Sequence, residues 1–212
     1  MSSHDKKIVI EKSKLLIVEG NHEKEFFEAM LSYLKLTDIQ IIPAGGKTLI
    51  LRDLPVLAKS AGFGIVTSIA VVRDADDNPN RAFQSVCEAL KKSGLLVPDR
   101  PYKFVPDKVK VAVAILPNPD EKGSLEDLLL KASVNDPLII PTNEFIDNAV
   151  STLYTGSPRP GPAPHKQGKA KIHAFLATFD EPDRDLGKAA KNKVWDFSHS
   201  AFSTIQSLIT QL

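Results

Sequence analysis

Leu15-Leu16-Ile17-Val18-Glu19-Gly20 is a short apolar run closed by an acid and a glycine. About fifty residues on, Ile69-Ala70-Val71-Val72-Arg73-Asp74-Ala75-Asp76 repeats the plan, an apolar run closed by two aspartates. Runs of this length without alternation suit strands buried on both faces, as in a parallel sheet covered by helices. Glu19 and Asp74 then fall at carboxyl ends of strands, where open α/β sheets place their ligands.

The segments between and beyond these runs agree. Phe26, Phe27, Met30, Leu31 and Leu34 recur at helical spacing after Asn21, a plausible N-cap. Ile39–Pro43 reads as a second strand, and Gly45-Gly46 turns into a helix through about Lys59. Ser68–Arg73 is the third strand, and Asn78-Pro79 opens a helix stopped by Gly94. A short strand is expected over Tyr102–Val105 and a longer one over Val109–Leu116. Helices are expected over Ser124–Ala132, Asn143–Tyr154, Lys166–Thr178 and Ser200–Leu212. Strand and helix in alternation give an α/β fold with a parallel sheet.

Pro158-Arg159-Pro160-Gly161-Pro162-Ala163-Pro164 fits neither helix nor central strand and reads as an extended linker and hinge. The expected organisation is an α/β domain over 1–155, a linker over 156–164 and a C-terminal helical extension over 165–212, which could also pack on the same core. Charge shifts across the linker. Residues 1–155 carry 19 basic and 21 acidic side chains, residues 156–212 carry 8 and 5, so cations for an anionic partner collect late in the chain. The whole chain is nearly neutral, with 27 basic and 26 acidic residues, which argues against non-specific electrostatic binding. The lone Cys87 excludes a disulfide scaffold or a multi-cysteine zinc site. No apolar run nears the ~18 residues of a spanning helix, so the expectation is a cytoplasmic protein with no membrane partner.

Acids gather at the same edge of this sheet. Glu19 follows strand one, Asp74 and Asp76 follow strand three, Glu23 lies one turn into the first helix, and Glu126 and Asp127 open a later one. Charged carboxylates 4 Å apart repel by roughly 4 kcal/mol at an effective dielectric near 20. A divalent cation removes that cost, and an all-oxygen donor set suits magnesium or manganese. Competing readings exist for each residue: turn chemistry for Asp76, helix-dipole complementarity for Glu23, a capping box for Asp127 in Ser124-Leu125-Glu126-Asp127.

Leu16-Ile17-Val18-Glu19-Gly20 with Val71-Val72-Arg73-Asp74-Ala75-Asp76 resembles the Toprim domain of topoisomerases, primases, small ribosomal RNA maturases and OLD-family nucleases. The Glu19-Gly20-x-x-Glu23 form is most similar to the OLD type and its small stand-alone relatives. The resemblance implies that Glu19 acts as acid/base or ligand, that Asp74 and Asp76 bind metal, and that Glu23 and Glu126 complete a site for two magnesium or manganese ions. It further implies that a C-terminal lysine, Lys169 among them, contacts phosphate, and Lys47, at a glycine-rich turn into a helix, is the other candidate for that contact. The implied activity is phosphodiester chemistry on DNA or RNA, as an endonuclease. A nucleotide phosphatase or phosphotransferase, and a catalytically silent nucleic-acid-binding defence component, are the alternatives. A homodimer or a partner protein stays open.

Three similar patterns fit less well. Gly45-Gly46-Lys47-Thr48 resembles the end of a P-loop, but Ile41 stands where that pattern needs glycine. Receiver domains want an acidic pair after strand one, where this chain has Glu19-Gly20. Haloacid-dehalogenase phosphatases place Asp-x-Asp after the first strand, not the third.

Overall fold

A computed structural model describes residues 9–156, 161–162 and 166–212. The hinge expected over 157–164 therefore lies largely outside the described residues. Four strands form one parallel sheet in the order β2-β1-β3-β4: β1 (Lys14–Val18), β2 (Ile39–Pro43), β3 (Ser68–Asp74) and β4 (Lys110–Leu116). The chain leaves β1 for one side and returns to add β3 on the other, so the order reverses between β1 and β3. The crevice at their carboxyl ends is the switch point where such sheets bind ligands.

Alternation along the strands sorts two apolar layers. Leu16, Val18, Ala70, Val72, Ala112, Ala114 and Leu116 face one layer. There they meet Phe26, Phe27 and Met30 of α1 (Asn21–Tyr33) and Leu125, Leu128 and Leu129 of α4 (Leu125–Ala132). Leu15, Ile17, Ile69, Val71, Val111, Val113 and Ile115 face the other. Ile50 and Leu54 of α2 (Lys47–Leu57) and Phe83, Val86 and Leu90 of α3 (Pro79–Lys92) cover them. Both faces are dry, which is why the strands read as unbroken apolar runs.

The late helices belong to the first layer. α5 (Ile139–Gly156) contributes Ile139, and α6 (Gln167–Leu176) contributes Ile172, Phe175 and Leu176. α7 (Leu186–Lys191) and α8 (Ser203–Thr210) add Leu186, Ala189, Ile205, Leu208 and Ile209. Trp195 is 2% exposed, and its Nε1 donates to the Ser133 hydroxyl at 2.9 Å. Burying a large side chain is worth about 1.5–3 kcal/mol, and the hydrogen bond removes the cost of an orphaned indole N–H. No helix among the described residues is long and apolar enough to cross a membrane.

Local details differ from expectation in four places. Gly20, not Asn21, is the N-cap of α1, and it supplies no side-chain bond. Tyr102–Val105 is not a strand. Tyr102 has φ +61°, which breaks extended geometry, and only an isolated antiparallel bridge joins Val105 to Val111. α5 starts four residues earlier than Asn143, and α7, capped by the Asp185 side chain, was not anticipated. Asn78 does cap α3, its Oδ1 accepting from Arg81 N at 2.9 Å with Pro79 at the first helical position.

Candidate metal centre

Glu19 and Asp74 meet because β1 and β3 are adjacent and parallel, with Ile17 paired to Val71. Glu19 Oε1 accepts the Asp74 backbone N–H at 3.3 Å. Asp74 in turn uses Oδ1 to accept the N–H of Leu125, the first residue of α4, at 3.0 Å. A carboxylate at a helix N-terminus is stabilised by the orphan N–H groups there.

The turn after β3 is fastened to the loop before α4. Asp76 N donates to Gly123 O at 2.8 Å, and Gly123 N donates back to Asp76 O at 2.9 Å. Asp76 adopts φ +50° and Gly123 φ +126°. Only glycine suits residue 123, since a Cβ there would also lie 2.5 Å from Asp127 Oδ2. Asp127 serves the cap. Its Oδ2 accepts from Ser124 N at 2.8 Å and from the Ser124 hydroxyl at 3.1 Å, closing a capping box. Glu126, one residue earlier, is 5% exposed.

The electrostatics are those of crowded carboxylates. Burial pushes Glu19 up to about 7, helped by Asp76 and Glu23 and opposed by the Asp74 N–H and Arg73. Burial likewise holds Asp74 well above the ordinary aspartate range, and Glu19, Glu126 and Glu23 add to the rise. Five of the acids singled out from the sequence (Glu19, Glu23, Asp74, Asp76, Glu126) therefore share one field at the switch point.

The lysines divide. Lys169 Nζ, on α6, stands 3.4 Å from Glu126 Oε1. Lys171 instead pairs with Asp147 of α5 at 2.8 Å. Lys47 is the first residue of α2, directly after Gly46, whose N–H donates to the Glu19 carbonyl at 2.6 Å; the Lys47 side chain lies outside the described atoms. Arg73, the residue before Asp74, brings a cation to the same edge. Its Nε and Nη1 are buried with no hydrogen-bond partner among the described residues, and its charge acts on Glu19.

Magnesium or manganese fits this donor set on chemical grounds: oxygen ligands only, with buried carboxylates whose mutual repulsion a divalent ion relieves. The side chains are not pre-assembled as ligands. Among the described residues no three His, Cys, Asp or Glu groups stand ready to hold an ion. Asp74 Oδ1 and Glu19 Oε1 are engaged by backbone N–H groups, so ligation requires local reorientation.

The fold and its acidic switch point define the class: a parallel α/β protein with carboxylates where such sheets bind ligands. The chain belongs to the family described as protein of unknown function DUF3226, whose model matches residues 13–212. No curated protein matches the sequence. Hypothetical protein PH0156 from Pyrococcus horikoshii OT3 is similar in structure, with a TM-score of 0.50 and 16% identity over 95% of both chains. The C-terminal region of the Xanthomonas campestris pv. campestris OLD protein is similar too, with a TM-score of 0.50 and 13% identity. That match covers 96% of this chain and 97% of the other. At such identity the likeness is one of fold.

Proposed function

We propose that the protein is a magnesium- or manganese-dependent nuclease of the Toprim/OLD type, cutting phosphodiester bonds in DNA or RNA. The observation that carries the reading is the crowding of half-buried Asp74 by the charges of Glu19, Glu23 and Glu126, an arrangement costly without a cation. The fold shared with the OLD C-terminal region supports it.

On this reading Asp74 and Asp76 hold the first ion, and Glu23 and Glu126 help hold a second. A bound divalent ion would supply positive charge against the charge developing on the phosphate oxygens. Glu19 titrates near neutrality in the metal-free protein, which suits it to take the proton of the attacking water. The water oxygen bonds to phosphorus as the phosphorus–oxygen bond to the leaving strand breaks. Lys47 and Lys169 meet the phosphate charge, since phosphate contacts dominate nucleic-acid affinity.

The test is nicking of supercoiled plasmid and cleavage of single-stranded RNA with magnesium or manganese, beside Asp74→Ala. Metal-dependent cleavage by the wild type alone is expected. Equal cleavage by both proteins would place the activity elsewhere. Binding without cleavage would favour a catalytically silent nucleic-acid-binding component.

A further inference from the structure

We propose that the Lys169 ammonium occupies the second cation position in the metal-free protein, so that a second divalent ion enters only when Lys169 leaves Glu126. The inference rests on the metal-site reading above and concerns its regulation.

Glu126 is almost fully buried, and among the described residues it pairs with Lys169. The Lys169 side chain is 59% exposed, so its own desolvation is small, whereas a buried carboxylate without its partner would be left uncompensated. Lys169 is also placed rather than merely nearby. The preceding Gly168 is buried directly against Asp127, and any Cβ at 168 would collide with that carboxylate. The capping box fixes Asp127, and Ile172 and Phe175 anchor the rest of α6 in the core. The next lysine, Lys171, is directed to Asp147 instead. Glu126 follows Leu125, whose N–H binds Asp74, and the Glu126 charge acts on Asp74, so both acids border the start of α4. An ammonium on Glu126 therefore sits where a second ion shared with that carboxylate would sit, and like charges exclude one another there. A substrate phosphate that draws Lys169 away opens the position, coupling arrival of the second ion to arrival of the substrate.

The experiment counts manganese ions on the full chain by calorimetric titration and electron paramagnetic resonance, without nucleic acid. Wild type is expected to take up one ion. Lys169→Met should take up two, the second at least about tenfold tighter than any second ion on the wild type. Lys169→Arg should behave as wild type, and Gly168→Ala should shift toward Lys169→Met because it displaces the ammonium. Circular dichroism confirms that each variant is folded. Two ions on the wild type and on Lys169→Met with equal affinity would overturn the proposal and leave the metal reading standing, as would a single ion on both. No ion on either would overturn both.

Discussion

The Glu19 carboxylate accepts the backbone N–H of Asp74 across the β1–β3 crevice, so one carboxylate is tied to the chain that carries the next. The bond fixes their separation and stabilises the charged form of Glu19, yet burial outweighs it. The two acids are held together at an energetic cost.

That cost makes a divalent ion stabilising. Magnesium or manganese should raise the melting temperature, since binding to the folded state alone adds about 2.7 kcal/mol at a concentration a hundredfold above Kd. Asp74→Ala should abolish the gain, and should not itself destabilise the metal-free protein by more than about 1 kcal/mol, because it removes a repelled carboxyl. Calorimetric scans with metal and with chelator check both. Equal metal-dependent shifts in wild type and variant would speak against a site at Asp74.

The same crowding sets a pH dependence in chelator. Glu19 titrates at about 7 in the folded protein against 4.5 ordinarily. Between these values the folded state holds a proton that the unfolded state has released, so stability falls as pH rises. The extra stability is complete below about 4.5 and is lost as pH passes through about 7, an effect of order 3 kcal/mol. Asp74 acts in the same direction. Urea midpoints from pH 4.5 to 8, compared between wild type and Glu19→Gln, isolate this contribution from the surface carboxylates. Parallel profiles would count against a raised Glu19.

Leu15–Val18, Ile39–Pro43, Ser68–Arg73 and Val109–Leu116 were legible as strands because a sheet covered on both faces demands unbroken apolar runs, and turn residues close each one. From the strands followed the shared edge for Glu19 and Asp74. What the sequence hid was long-range. The Ser124-x-x-Asp127 spacing already offers Asp127 a capping box, which the folded chain forms, but nothing local brings Glu126 to Asp74 or to Lys169. Gly168 resembles any small residue until it meets Asp127. Tyr102–Val105 has strand composition, but the left-handed backbone at Tyr102 is set by tertiary contacts, among them its hydroxyl donating to the Ile115 carbonyl at 2.6 Å.

Trp195 should be a sensitive point of the C-terminal segment. It fills the layer beneath the sheet and satisfies its indole N–H on Ser133. Trp195→Ala should cost about 3–5 kcal/mol, and Ser133→Ala about 1–3 kcal/mol through the orphaned donor. Cutting the chain at Tyr154 should yield a protein without cooperative unfolding, because Ile172, Phe175, Phe202 and Leu208 leave the core with it. Circular dichroism melts decide: a truncated chain with a sharp transition would show that residues 9–154 fold alone.

Glu126 and Asp127 offer a paired test of what each acid is for. Asp127 closes the capping box of α4, so Asp127→Ala should lower stability by about 1 kcal/mol, the usual loss for a helix cap. Its manganese affinity should stay within about twofold of wild type, because Asp127 is directed at Ser124 rather than at Asp74. Glu126→Gln keeps the side-chain volume and removes the charge that repels Asp74 and holds Lys169. In the metal-free protein it should be neutral to mildly stabilising. On the Lys169→Met background, where the second position is open, it should weaken binding of the second manganese ion about tenfold or more, since a ligand charge is lost from a buried site. The two variants thus move stability and affinity in opposite combinations. If on that background Asp127→Ala loses the second ion and Glu126→Gln keeps it, the acid that holds it at the start of α4 is Asp127 and not Glu126.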